Sequence, residues 1–267
     1  MSKVIDSHCH IFVMNGYEFF KDRPLMEYID HFGMEKNAVI ACNERENDEV
    51  IEAVQKYPDK LFGIAYVNVH DMDNSLAKLR EYVKRGIFRG VKMHPYCNDF
   101  QVDDPAIFPV YETCIELDIP VLYHTGWLNF SDIDANNKSD NVYKYSCIGF
   151  PVQFGTVMEK FPELKLICAH FGGNFYQEFL GMAERFPNLY LDTAWLAHYA
   201  ERMMPPVSVQ EWIEHAVKIV GSKQIIFGGE GTYPIDIERC RLTQEEKEDI
   251  LYTCPSSCHT LSCLIHR

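Results

Sequence analysis

"QFGTVMEKFPELKLICAHFGG" (residues 153–173) reads as one complete structural unit. Residues 153–162 carry a helical pattern, and proline closes it, because the residue before a proline is pushed out of helical geometry. An apolar strand follows at 164–173 and ends in His170 and two glycines. The next stretch repeats the arrangement, with a helix at 175–187 closed by "RFPNL" and a strand at 189–195. Outward from these, further strands are expected at 3–11, 37–43, 61–68, 88–95, 119–127 and 224–231. Between them lie helical patterns at 47–57, 74–86, 105–118 and 208–221. Val50, Ile51, Val54 and Tyr57 show the basis, since this spacing lines one face of a helix.

Eight β-α units in about 250 residues predict an α/β chain folded as a (β/α)8 TIM barrel. An open doubly wound sheet is the competitor, but the first turn lacks a glycine-rich phosphate fingerprint. No linker interrupts the pattern, so residues 1–252 are expected to form a single domain. Two segments stand apart. Residues 129–146 are a polar insertion after the fifth strand, of the length that is usually functional or mobile. Residues 253–267, "TCPSSCHTLSCLIHR", have poor helical character and are expected to be a divergent tail without function. Cys254, Cys258 and Cys263 in that tail fit no paired zinc spacing.

Bulk composition narrows the function. Hydrophobic residues make up 47% of 267, enough for a large core. The formal charge of −14 gives no electrostatic reason to bind nucleic acid or an anionic membrane. No basic segment precedes an apolar leader, and no run of about 18 apolar residues occurs, so a soluble, cytoplasmic protein is expected. Cys42, Cys97, Cys114 and Cys168 sit singly inside apolar segments and read as reduced core thiols.

In a barrel the carboxyl ends of the strands build the active site, and there the polar residues collect. Asp6, His8 and His10 alternate along the first strand, which places all three on one face. Lys92 and His94 close the fourth strand, His124 the fifth, His170 the sixth, and Glu230 follows Gly228 and Gly229 on the eighth. One buried histidine is ordinarily a hydrogen-bonded core residue. Several strands ending in histidine or acid point to a shared metal. Neutral imidazoles with one carboxylate suit Zn2+ or a similar divalent ion with an open position for water. The bound water becomes hydroxide near neutral pH, and a neighbouring carboxylate exchanges its proton. Asp6 is expected to hold a ligand histidine by a hydrogen bond.

"DSHCHIF", "RGVKMHPY", "PVLYHTG", "LICAHFGGN", "LYLDTA" and "IIFGGEGTYP", in this order, resemble the amidohydrolase superfamily. Within it they are similar to the amidohydrolase-2 group, related to the aminocarboxymuconate-semialdehyde decarboxylase type, over roughly residues 3–251. The resemblance implies a distorted barrel holding one divalent metal, most often zinc, a small-molecule substrate and a homodimer. His8 and His10 would be ligands, and His124 a ligand or an adjacent catalytic residue. His170 would polarise the substrate or act as acid and base. The acid of strand eight would activate water and touch the metal.

That acid is aspartate in the family, and Glu230 stands in its place, with Asp236 a less suitable substitute. The longer side chain moves the carboxylate about 1.5 Å, a displacement large enough to matter for catalysis. Lys92 is read as a buried polar or substrate-facing residue rather than a carboxylated metal bridge. His94 is a pocket residue, Trp127 a pocket floor or a core aromatic, and Asp192 structural or at the rim. The leading expectation is a hydrolase acting on a C–N or C–O bond. The alternatives are a non-oxidative decarboxylase, with Lys92 or Arg89 holding the departing carboxylate, and a weakened metal-binding barrel.

Overall fold

The computed structural model describes residues 3–11, 25–127 and 147–252. The polar insertion at 129–146 and the C-terminal tail at 253–267 lie outside the described residues. Eight parallel strands form one sheet in the order β1 to β8, each paired with its sequence neighbour. They are β1 (Ile5–Asp6), β2 (Lys36–Ile40), β3 (Leu61–Tyr66), β4 (Phe88–Met93), β5 (Val121–Tyr123), β6 (Leu166–Cys168), β7 (Leu189–Asp192) and β8 (Ile225–Ile226). One principal helix follows each strand: α1 (Leu25–Phe32), α2 (Glu44–Lys56), α3 (Met72–Lys84), α4 (Phe108–Glu116), α5 (Pro151–Lys160), α6 (Tyr176–Arg185), α7 (Val209–Val220) and α8 (Gln244–Leu251). This is the (β/α)8 arrangement in a single domain.

The sheet separates two apolar layers. Ile5, Ala38, Ile40, Phe62, Ile64, Leu122, Ile167, Tyr190 and Ile226 pack inside it. The opposite strand faces, among them Val39, Val91, Val121 and Leu191, pack under the helices. Each helix turns an apolar stripe inward, as α7 does with Trp212, Ile213, Ala216 and Val217. A capping box between Ser208 and Glu211 fixes where α7 starts. No helix among the described residues is long and apolar enough to cross a membrane.

β1 and β8 are not laddered together among the described residues; they meet just beyond their ends. The Ser7 N–H and hydroxyl both donate to the Phe227 carbonyl, at 3.0 and 2.8 Å. Phe227 N–H in turn donates to the Ile250 carbonyl of α8 at 3.0 Å, so the last helix holds the seam.

Two expectations change. The strands are shorter than their apolar runs, and α1 was not expected. The first strand, expected over 3–11, keeps two ladder residues, and only an isolated bridge pairs His10 with Ile40. Strict alternation therefore stops at Asp6. Ile5 faces the inner layer, while Asp6 lies against Gly229 and the Tyr28 hydroxyl of α1.

Candidate metal centre

His8 leaves β1 as a fully buried side chain, and its two ring nitrogens do different things. Nδ1 lies 2.7 Å from Asp192 Oδ2. A carboxylate accepts, so Nδ1 carries the proton and Nε2 keeps its lone pair. That Nε2 faces the Lys92 ammonium at 3.2 Å and Glu230 Oε2 at 3.4 Å. His10 brings Nε2 to 3.5 Å from Glu230 Oε1, with Cys42 Sγ 3.4 Å from its Nδ1. Ligand atoms of His8, His10 and Glu230 lie within 4.8 Å of one another and could hold a metal ion.

Glu230 reaches this place because the chain beyond β8 carries glycine. A Cβ on Gly229 would stand 2.2 Å from Asp6 Oδ2, which no side chain tolerates. Asp6 Oδ1 accepts from both His8 N–H (2.9 Å) and Gly229 N–H (2.7 Å). Asp6 thus joins the backbones of the two strands that carry the trio. It does not bond a ligand imidazole; Asp192 does, because β7 rather than β1 presents a carboxylate beneath His8. Glu230 itself has a left-handed backbone, φ 44°, and its carbonyl accepts from Trp195 N–H at 2.9 Å. Its side chain is 28% exposed, so the trio is open on one side.

His124 and His170 form a second, connected pair. His170 Nδ1 lies 2.8 Å from the Ala194 carbonyl, which only accepts, so Nδ1 is the protonated nitrogen. His170 Nε2 then accepts from His124 Nδ1 at 3.2 Å. His124 Nε2 is left as a buried lone pair with no hydrogen-bond partner. His94 stacks flat on His124, 4.2 Å between ring centres. His124 is not among the three mutually close ligand groups.

Burial dominates the electrostatics. It holds His8, His10, His94 and His124 well below the usual histidine value and His170 at about 3, so all five are neutral. It raises Glu230 and Asp6 to about 7, and lowers Lys92. Two acceptors, His8 Nε2 and Glu230 Oε2, face each other, and the oxygen lacks a hydrogen-bond partner. A proton or a cation is the charge that reconciles such a pair. Two imidazoles with one carboxylate are a donor set that fits a divalent ion.

The other expected residues divide between this centre and places away from it. Lys92 is buried at the end of β4 within the site, whereas Arg89, at the start of β4, lines a separate cavity with Lys84, Glu116 and Asp118. Trp127 is half-buried, its N–H donating to Asn174 Oδ1 and its carbonyl accepting from Tyr199. Asp236 caps a short helix through Tyr233 N–H. Cys42 and Cys97 are not core thiols but half-buried partners of His10 and His94; the described cysteines are all free. Asp192 is the residue whose role the sequence reading missed. Its signal was available, since "LYLDTA" ends a strand in an acid as the other strands end in histidine.

Comparison with known proteins gives this geometry a context. A family model described as Amidohydrolase matches residues 5–255. The 2-amino-3-carboxymuconate-6-semialdehyde decarboxylase of Dictyostelium discoideum is 21% identical over 212 residues, 71% of this chain and 56% of that protein. The 2-keto-4-carboxy-3-hexenedioate hydratase of Sphingobium sp. is 24% identical over 200 residues, 69% of this chain and 56% of that protein. The chain thus spans about half the length of the curated relatives it matches. The dihydroxybenzoic acid decarboxylase of Polaromonas sp. JS666, solved with manganese and 2-nitroresorcinol, superposes with a TM-score of 0.68 at 17% identity, covering 94% of this chain and 95% of that one.

Proposed function

The chain belongs to the amidohydrolase family, and from that premise we propose that it is a metal-dependent, non-oxidative decarboxylase of a small carboxylic acid. The observation that carries the reading is a buried ammonium, Lys92, 3.2 Å from His8 Nε2 and beside the His8–His10–Glu230 trio. A cation in that position suits the carboxylate of a substrate. Arg89, the other cation considered, lies at the far end of β4.

His8, His10 and Glu230 would hold the ion, with the bare Nε2 of His124 as a fourth donor. When bound, a divalent ion supplies Lewis-acid polarisation of a substrate oxygen. Lys92 pairs with the carboxylate that leaves. Glu230, whose proton the ion displaces on binding, would relay a proton from solvent to the substrate carbon. The C–C bond to the carboxylate then breaks, CO2 departs, and the electron pair returns to the protonated carbon framework. Neutral His170 positions His124 and borders the reacting space. Manganese and zinc both suit this donor set, and the Polaromonas relative holds manganese.

Hydrolysis, the leading expectation from sequence, gains no support from relatives whose names give decarboxylation and hydration. Hydration is the second reading, favoured by the Sphingobium relative. A weakened site is disfavoured by the reach of Glu230, whose two oxygens approach both histidines. The test is turnover of enoic and aromatic carboxylic acids by protein loaded with Mn2+ or Zn2+, following CO2 release and incorporation of oxygen from labelled water. CO2 release that falls in Lys92→Met, with metal binding retained, supports the proposal. Labelled oxygen in the product without CO2 would replace it with hydration.

A further inference from the structure

We propose that Asp192 is a positioning residue that fixes the tautomer of His8 and couples it to the left-handed corner at His170. The inference rests on the reading of His8 as a metal ligand and extends it to a residue that touches no ion. Asp192 ends β7 fully buried and spends each oxygen differently. Oδ2 accepts from His8 Nδ1 at 2.7 Å. Oδ1 accepts from His170 N–H at 2.9 Å and Ala194 N–H at 3.0 Å.

Both halves are needed. An imidazole whose Nδ1 is protonated presents Nε2, and Nε2 is the nitrogen that faces Glu230. At the other oxygen, His170 adopts φ 60° and Phe171 φ 53°, a conformation that residues with a Cβ adopt only when neighbours hold them there. The same corner sends the His170 ring back to the Ala194 carbonyl, whose own N–H is on Asp192. One carboxylate therefore sets the ligand nitrogen of His8 and the backbone from which the His170–His124 pair is built.

Asn in place of Asp separates this role from a merely structural one. Two backbone N–H donors pin the amide oxygen where Oδ1 now lies, so the amide NH2 turns toward His8 Nδ1. A donor there requires Nδ1 to give up its proton, and the proton moves to Nε2. The Lys92 ammonium, 3.2 Å from Nε2 on a flexible stem, must then shift, because the amide is pinned at its oxygen. The backbone corner survives, but the ligand nitrogen is blocked.

The experiment compares wild type with Asp192→Asn and Asp192→Ala. Nitrogen NMR of the imidazoles in the metal-free protein reads the tautomer directly, calorimetric titration reads Mn2+ and Zn2+ affinity, and thermal melts read the fold. Expected are a protonated Nδ1 on His8 in wild type and a protonated Nε2 in Asp192→Asn. Metal affinity should fall by about 10- to 100-fold in that variant, the range seen when a ligand's supporting partner is removed. Its metal-free melt should stay near wild type, with Asp192→Ala melting lower. A wild-type His8 protonated on Nε2 overturns the proposal without any variant. So does an Asn variant that binds metal as wild type does. Should wild type bind neither ion, the metal reading falls, and the tautomer measurement still decides the role of Asp192.

Discussion

His124 donates through Nδ1 to His170 Nε2 at 3.2 Å, and the direction of that bond is set from its far end. The Ala194 carbonyl takes the Nδ1 proton of His170, so His170 offers an acceptor to His124. What remains is the unpartnered Nε2 of His124. Two rings and a carbonyl thus prepare one lone pair.

His170→Ala removes the acceptor and releases that ring. Activity should fall by about 10²- to 10⁴-fold, the usual scale for losing a positioned acid–base group or its support. Metal affinity should drop as well, because His124 loses the acceptor that fixes its tautomer. Steady-state CO2 release and a metal titration on the same preparation check both. An unchanged affinity would remove His124 from the ligand set.

Glu230→Asp asks whether the longer acid is an adaptation. Its oxygens now stand 3.4 and 3.5 Å from the two histidines. Four-coordinate ions with bonds of about 2.1 Å hold their ligands roughly 3.4 Å apart, and each histidine nitrogen has one Glu230 oxygen at about that spacing. Aspartate at the same backbone position falls short by one carbon–carbon bond. Activity is expected to fall on the order of a hundredfold, as for an approximately 1 Å misplacement. A rise in activity would instead identify Glu230 as the defect.

Metal affinity should climb with pH and then level. Burial raises the Glu230 carboxyl to about 7, so below that value the ion must displace its proton. The histidines, held below their usual value, offer no comparable competition near neutrality. Affinity should increase by up to about tenfold per pH unit below pH 7 and flatten above it. Titrations in buffers of different ionisation enthalpy would show about one proton released per ion at pH 6 and fewer at pH 8.

The metal-free protein should lose stability in acid. Five buried imidazoles have folded values below that of an exposed histidine. Their contribution is present above the ordinary value of about 6.5 and is lost as pH falls toward the folded values, because the unfolded chain takes up the protons first. Glu230 and Asp6, raised to about 7, act oppositely and lose their contribution as pH rises through that value; Asp192 is raised too and acts in the same direction. Five groups against three give a melting temperature that declines from pH 7 to pH 4.5 in chelator. A flat profile would mean that the imidazoles are solvated.

The barrel and most of the site-lining residues were legible because two periodicities and the strand tips carry them. His8, His10, Lys92, His94, His124, His170 and Glu230 all follow apolar runs, and a parallel barrel gathers such positions at one end. The faces were less legible. Alternation assigned Asp6 inward with His8, but the ladder ends at Asp6, and period two holds only while the ladder lasts. Asp192 was undervalued because its partner is 184 residues away, a relation that no local pattern encodes. The left-handed backbones of His170 and Glu230 were hidden for a related reason. Side chains such as these do not choose that conformation; hydrogen bonds from other strands impose it.

The seam at Ser7 and Phe227 has a consequence for the order of events in the cell. His8 and His10 leave the ribosome about 220 residues ahead of Glu230. Contacts so distant in sequence form late, after the chain between them is in place. Until β8 arrives the two early histidines have no acid to share an ion with, and a half-made chain offers only a scattered pair of imidazoles. Capture of a metal by this trio is therefore a report that the barrel has come full circle.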